Sequence, residues 1–428
     1  MEKHRVVITG LGVVAANAIG VDNYEKALRE GKSGIKHWEE LDKINLKCQI
    51  GGAPDLSSIN LGDHLPRLLA EKITNKGILY AMLSGVEAWK DAGLDFNTEK
   101  RDFNAGMIFG AGDLSFDSFI NRPFPSYPID NGESRKLGSR TISECMNSGA
   151  AAYLNSILGV GNRVQSNSSA CITGSEAVLM GYEYLSEGKA DRMICGSTEG
   201  DGRYIWAAFD AMRVLCSNSN ENPEFGSRPM SDSSSGFVPS GGSGALVLET
   251  LESAKARGAK IYGEILGGHV NSGGQRSGGT MTAANPEAVV DCITRAMSSA
   301  GITPDEIDLI NGHLTSTKGD PAEIRNWVKA LGRSGKDFPL INTPKSMIGH
   351  AVAGAGSVEL IASVLQLSKD FVHANLNVEN IHPEILSEIF GGCIPTSCQS
   401  KEVNTVIKAN FGFGDLNCAL VLRKYKER

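Results

Sequence analysis

The 428-residue chain contains no run approaching the ~20 apolar residues that span a bilayer, so no transmembrane segment is expected. It also has no surplus of basic residues. A formal net charge of −7 argues against nucleic-acid binding, and an acidic partner would have to meet a local basic patch. A disulfide pattern is missing too: nine cysteines, at positions 48, 145, 171, 195, 216, 292, 393, 398 and 418, are odd in number and scattered. Cys393 and Cys398 form the one close pair, and with no second pair nearby no zinc or other metal site is expected. Met1-Glu2-Lys3-His4-Arg5 leads straight into a predicted strand with no signal-peptide pattern, which predicts a cytoplasmic protein.

With 41% hydrophobic residues the chain can bury a large core, and its 50 glycines are spread along it, which points to tight turns and close packing rather than disorder. Arg5-Val6-Val7-Ile8-Thr9-Gly10 reads as a buried strand closed by glycine. A short amphipathic helix near Tyr24–Glu30, a longer one from about Ala70 to Ala92 and a strand at Ala105–Phe109 follow, and the alternation continues to the C-terminus. This predicts an α/β fold with strands buried on both faces. Ala245-Leu246-Val247-Leu248 recurs as Ala419-Leu420-Val421-Leu422, and Ala92-Gly93-Leu94 has a counterpart in Ala300-Gly301-Ile302, which suggests an internal duplication. The halves are expected at 1–255 and 256–428, with an inserted cap at about 113–140. Its Pro123, Pro125, Pro128, Asn131 and Gly132 read as irregular loop.

Gly10-Leu11-Gly12-Val13-Val14-Ala15 matches a dinucleotide fingerprint and raises an NAD-dependent oxidoreductase as an alternative. Asn17, Gly20, Val21 and Asp22 intervene before helical spacing begins, and no acidic residue ends the second strand at the right distance. A glycine turn between strand and helix is the plainer expectation.

Cys171 carries the most chemical information. It sits in Ser169-Ala170-Cys171-Ile172-Thr173-Gly174, just before a helix-compatible run, where unpaired N–H groups and the helix dipole favour thiolate over a free thiol of pKa about 8.5. His313 in Asn311-Gly312-His313-Leu314-Thr315-Ser316-Thr317, and Lys345 and His350 in Pro344-Lys345-Ser346-Met347-Ile348-Gly349-His350, also stand beside Gly, Ser or Thr at element edges. Each alone reads as a core or solvated residue. Together they suggest a thiol enzyme that handles carbanions.

These residues resemble the β-ketoacyl-acyl-carrier-protein synthases of the elongating type, on a thiolase-like fold. The resemblance runs through Arg5–Gly12, Ala170-Cys171 with Gly174, Ser227-Arg228-Pro229, Gly236-Phe237-Val238, Met281-Thr282-Ala283, His313 with Thr315-Ser316-Thr317 and Gly319-Asp320, Lys345-Ser346 with Gly349-His350, and Asn410-Phe411-Gly412-Phe413-Gly414 with Asn417. It implies two similar α/β halves in a five-layered αβαβα core and a decarboxylative Claisen condensation. Cys171 would carry the acyl chain, and neutral His313 and His350 would donate to the enolate left when malonyl loses carbon dioxide. The N–H groups of Cys171 and Phe413 would form a second oxyanion hole, with Phe413 as a gate or simply core. Lys345 would tune the site or serve as a structural ion pair with Glu359. Thr315 and Thr317 would hold pantetheine or satisfy backbone.

The resemblance further implies no cofactor beyond carrier-borne phosphopantetheine, an acyl carrier protein as partner, and a homodimer or a heterodimer with a synthase-like subunit. A chain-length-setting partner subunit is the non-catalytic alternative, and Cys171 argues against it. Arg67, Lys72, Lys76 and Arg213 are the candidate carrier patch, or an ordinary solvated face. Ala111 stands where a larger residue would close the acyl pocket, or is a turn residue packed on a partner subunit. Departures are Leu314 for a glycine, Ser240-Gly241-Gly242 for Gly-Glu-Gly, and Gly414-Asp415-Leu416-Asn417 for Gly-Gly-Thr-Asn. They point to a specialised synthase building, for instance, a polyene or polyketide chain.

Overall fold

The computed structural model describes residues 3–96, 100–120 and 126–427. Ten strands form the main path of one mixed sheet: β1 (Val6–Ala15), β2 (Ala105–Ala111), β3 (Val164–Gln165), β4 (Arg192–Glu199), β5 (Gly242–Thr250), β6 (Gly263–Ser272), β7 (Leu309–Asn311), β8 (Leu340–Asn342), β9 (Thr405–Gly412) and β10 (Leu416–Arg423). Their spatial order is β8-β7-β9-β10-β6-β1-β5-β4-β2-β3. Read outward from the antiparallel β1–β6 contact, where Val6 faces Ile265, each side repeats the same strand order and the same sequence of two antiparallel and two parallel pairings. The repeated Ala-Leu-Val-Leu tetrapeptides occupy equivalent places in β5 and β10.

Six helices complete five layers. Helices α1 (Lys76–Asp91) and α2 (Gly149–Leu158) cover the first half-sheet, and α4 (Pro286–Ala300) and α5 (Asp320–Leu331) flank the second; α3 (Thr173–Ser186) and α6 (Val352–Lys369) touch strands of both halves and form the middle layer. The fold is thiolase-like, as expected. Strands such as β1 are buried at every position because helices cover both faces. The middle helices cross where glycines remove side-chain bulk: a Cβ on Gly174 would lie 2.3 Å from the Ser357 nitrogen, and one on Gly356 would lie 2.5 Å from the Ser175 nitrogen. That crossing brings the N-terminal ends of α3 and α6 together, and the site forms there.

Three local expectations need correction. Gly10 and Gly12 do not make a turn before a helix; they lie inside β1, where a Cβ would stand 2.2 Å from the Ala88 carbonyl oxygen and 1.9 Å from that of Ser84 on α1. The glycines serve close helix–strand approach, and a strand continuing through them leaves no phosphate-binding turn for a dinucleotide. The helix expected over Ala70–Ala92 is two, Arg67–Lys72 and α1, because buried Asn75 caps α1 by accepting the Ile78 N–H at 3.0 Å. The segment at 113–140 is a set of short helical pieces, Ser115–Ile120, Ser126–Asp130 and Ser134–Leu137, rather than irregular loop; Pro123 and Pro125 lie outside the described residues. No described helix is long and apolar enough to cross a membrane.

Candidate active site

Cys171 lies in a single 3-10 turn, Ala170–Ile172, that leads into α3. Ala170 before it is held at φ +48°, with its carbonyl accepting the Thr173 hydroxyl at 2.7 Å. His313 follows β7, Lys345 opens a helical turn after β8, and His350 stands just before α6. Phe413 sits in the β9–β10 hairpin, where Gly412 lets the backbone pass close to Cys171 and Gly414 adopts φ +88°. Loops of both half-sheets therefore converge on one cavity of about 720 Å³. Its lining includes Cys171, His313, His350, Thr315, Thr317 and Phe413, with Arg213 and Lys318 exposed at its edge.

Cys171 Sγ lies 3.1 Å from His350 Nε2, and the sulfur and one nitrogen of each of His313 and His350 fall within 4.8 Å of one another. The two imidazoles meet edge to face, 5.3 Å between centroids. Both are neutral: burial, then the positive charge of Lys345, pushes His350 down to about 3 and His313 well below the usual histidine range. His350 Nδ1 is buried without a hydrogen-bond partner among the described residues. A proton on Nε2 leaves only an acceptor unsatisfied there, the cheaper of the two tautomers.

The thiol does not behave as its position at a helix start suggested. Burial pushes Cys171 up to about 11, against the pull of the Lys345 charge and of the Phe413 N–H that donates to the sulfur. Desolvation outweighs the features that would favour thiolate.

Behind the imidazoles lies a buried ionic cluster. Lys345 pairs with one oxygen of Glu359, and Lys408 donates to the other at 2.6 Å. Burial raises the Glu359 carboxyl, but the two lysines outweigh it and hold it at about 2; burial lowers Lys408 to about 8 despite Glu359. Lys408 escaped the sequence reading, although a lone charge within the apolar run of β9 was a visible signal. Asn410 belongs to the same network, with its amide nitrogen 3.0 Å from Glu359 Oε2 and 3.4 Å from His313 Nδ1, and its oxygen accepting the Ser175 hydroxyl at 2.6 Å.

Two further carboxylates shape the loop after His313. Glu323 accepts the N–H groups of His313 and Leu314, each at 2.7 Å, and Asp320 accepts those of Thr315, Ser316 and Met230. Thr315 and Thr317 lie on this loop with their hydroxyls 3.1 Å apart. Leu314 is fully buried at φ +26°, a conformation that favours glycine. Asp415, in the third departure, accepts N–H groups of Gln275 and Asn285 at 2.9 and 2.7 Å, while Gly414 N–H reaches the Met281 carbonyl; together they tie down the loop that brings Thr282 and Ala283 to the cavity.

Other expected residues lie apart. Ala111 is fully buried in the apolar cluster with Ile78, Met82 and Leu114, and does not line the Cys171 cavity. Arg67 pairs with Glu71 at 2.7 Å and Lys76 with Asp201 at 2.5 Å, so two of the four expected patch cations are already neutralised. Lys72 and Arg213 have no acidic partner among the described residues, and Arg213 alone of the four reaches the cavity.

The fold and the relatives that share it define a class, the acyltransferases. Residues 3–254 match the β-ketoacyl synthase N-terminal domain and residues 262–379 the β-ketoacyl synthase C-terminal domain. The chain is 32% identical to 3-oxoacyl-[acyl-carrier-protein] synthase 1 of Escherichia coli K12, over 99% of this chain and all of that one. It is also 32% identical to synthase 2 of Vibrio harveyi over the full length of both. Among solved structures, a type II polyketide ketosynthase in complex with its acyl-carrier protein and bound to a hexaketide superposes with a TM-score of 0.87 at 27% identity, covering 99% of this chain and 100% of that one. A β-ketoacyl synthase from Burkholderia phymatum gives 0.87 at 26%, with the same coverage. The chain belongs to the β-ketoacyl synthase family.

Proposed function

We propose that the protein elongates acyl chains by decarboxylative Claisen condensation on an acyl carrier protein. The observation that carries this reading is the convergence of one thiol and two neutral imidazoles in a single cavity. Cys171 sulfur attacks the thioester carbonyl of the incoming acyl chain, the bond to the pantetheine sulfur breaks, and the thiol proton leaves with that sulfur. The tetrahedral oxyanion is met by the N–H groups of Cys171 and Phe413. A malonyl thioester then enters and loses carbon dioxide, and its C–C bonding electrons form an enolate whose oxygen accepts from the imidazole N–H groups. The enolate carbon attacks the acyl carbonyl on Cys171, the C–S bond breaks, and the released cysteine takes up a proton.

Thr315 and Thr317 hold the pantetheine arm, a reading supported by their position in the cavity lining, and Lys345 acts as a fixed charge rather than a reactant. The acyl-carrier protein in complex with the polyketide ketosynthase supports an acyl carrier protein as substrate carrier; its phosphopantetheine is the one prosthetic group that the proposed steps call for. Leu314, buried between the cavity residues His313 and Thr315, and Asp415, which anchors the loop bearing Thr282 and Ala283, are the departures that support a specialised polyene or polyketide chain over a housekeeping one. The protein would act as a homodimer, or beside a synthase-like subunit. Intact mass spectrometry after incubation with acyl carriers of varied chain tests the reading. One acyl adduct on the wild type and none on Cys171→Ala is expected; an adduct that persists on Cys171→Ala overturns it.

A further inference from the structure

Asn410 has no part in the steps above, yet its side chain links the ionic cluster to His313. The two ends of an amide are told apart by what they face. Glu359, held between two lysines, is ionised and can only accept, so the Asn410 group 3.0 Å from its Oε2 is the NH₂. The amide oxygen is then the atom that receives the Ser175 hydroxyl at 2.6 Å. One hydrogen of the NH₂ goes to Glu359, and the other points to His313 Nδ1, 3.4 Å away. A nitrogen that accepts carries no proton. His313 is neutral, so its single ring proton must sit on Nε2.

We propose that Asn410 is a positioning residue that fixes His313 as the Nε2–H tautomer, with Lys408 and Glu359 preventing the amide from turning over. The inference rests on the proposed function, in which His313 donates to the enolate. Without Lys408, Glu359 would be shared by Lys345 and Asn410 alone. Without Glu359, nothing would distinguish the two ends of the amide. The three residues come from β9 and α6, so the tautomer of a loop histidine is set by the rigid middle of the fold.

The test compares Asn410→Asp with Asn410→Ala in the full chain. Asp has nearly the same shape but no N–H to give the ring: ionised, or sharing one proton with Glu359 3.0 Å away, it accepts from His313 and would draw the ring proton to Nδ1. The isosteric variant should therefore be worse than the truncation. Solid-state NMR of ¹⁵N-histidine-labelled protein, with His313 assigned by its disappearance in His313→Gln, should show Nε2–H in the wild type and Nδ1–H in Asn410→Asp. Malonyl decarboxylation should fall about 100-fold or more in Asn410→Asp, the effect of losing one oxyanion donor, and about fivefold in Asn410→Ala, the worth of one hydrogen bond. Acylation of Cys171 should persist in both and reports that they are folded. A wild-type His313 protonated on Nδ1 overturns the proposal, as does an Asn410→Asp variant with wild-type tautomer and rate. Should the variants fail to fold, the wild-type spectrum decides. A wild type that acylates and decarboxylates nothing would sink the functional reading instead, and leave the tautomer to the spectrum.

Discussion

The pairing of two buried lysines with one carboxylate predicts a specific failure of additivity. Lys345 and Lys408 are fully buried and contact opposite oxygens of Glu359, which places the two ammonium groups about 6 Å apart; at an effective dielectric near 20 they repel by about 3 kcal/mol. Glu359→Gln leaves that repulsion uncompensated and should destabilise by about 3–5 kcal/mol, as removal of one partner from a buried pair does. Lys408→Met keeps the Lys345–Glu359 pair, fills the same space with an apolar chain, and should change stability by less than about 1 kcal/mol. The double variant holds one unpaired lysine instead of two, so it should be more stable than Glu359→Gln alone by about 2–3 kcal/mol. Urea midpoints and slopes for the four proteins at one protein concentration give the coupling. There is a pH signature as well. Lys408 loses its proton near 8 in the fold, below an ordinary lysine, so the folded state binds fewer protons than the unfolded one from there to about 10.4, and stability should rise with pH across that window. Lys408→Met should lack the rise. Additivity within about 0.5 kcal/mol would refute the shared-carboxylate account.

Three further outcomes are expected. Because burial holds the Cys171 thiol near 11, its alkylation by iodoacetamide should accelerate about tenfold per pH unit from 7 to 10; a rate already level at neutral pH would show a thiolate at rest. Leu314 carries strain at φ +26° together with full burial, so Leu314→Ala loses the burial and keeps the strain, whereas Leu314→Gly loses both. The glycine variant should be the more stable by about 1 kcal/mol, the reverse of the usual order, and a more stable alanine variant in thermal melts would remove the strain argument. Charge reversal at Lys72 and Arg213 should raise the Michaelis constant for the acyl carrier protein and spare a small pantetheine thioester; equal losses on both would move the docking patch elsewhere.

What could be read in the sequence was what is local. Cys171, His313, His350 and Lys345 stand at element ends between Gly, Ser and Thr, because a group that faces a cavity sits where the backbone leaves a rigid helix or strand, and that combination leaves a local trace. Gly10 and Gly12 left a misleading one. Their reason for being glycine is a helix carbonyl more than seventy positions away, and a glycine that meets a distant backbone looks the same in sequence as one that makes a turn. The same distance hid Asn410 and Lys408: both were in view, one inside a quoted motif and the other a lone charge in a strand, but their meaning lies in Glu359 on the middle helix.

The sign of the thiol shift was also beyond local reading. A helix start argues for thiolate, whereas the measure of burial comes from the whole cavity wall and wins. Yet the site is not indifferent to anions. Two lysines on one carboxylate leave one uncompensated positive charge behind a pair of neutral rings, and a fixed charge of that sign costs nothing at the moment of reaction and favours whichever anion forms in the cavity. Under the proposed function there are two, the cysteine sulfur during acylation and the enolate during condensation. A thiol kept protonated at rest is spared oxidation and off-pathway attack between turnovers. A surplus charge held beside it then lowers the barrier when substrate arrives, so the raised pKa and the second lysine belong to one electrostatic arrangement.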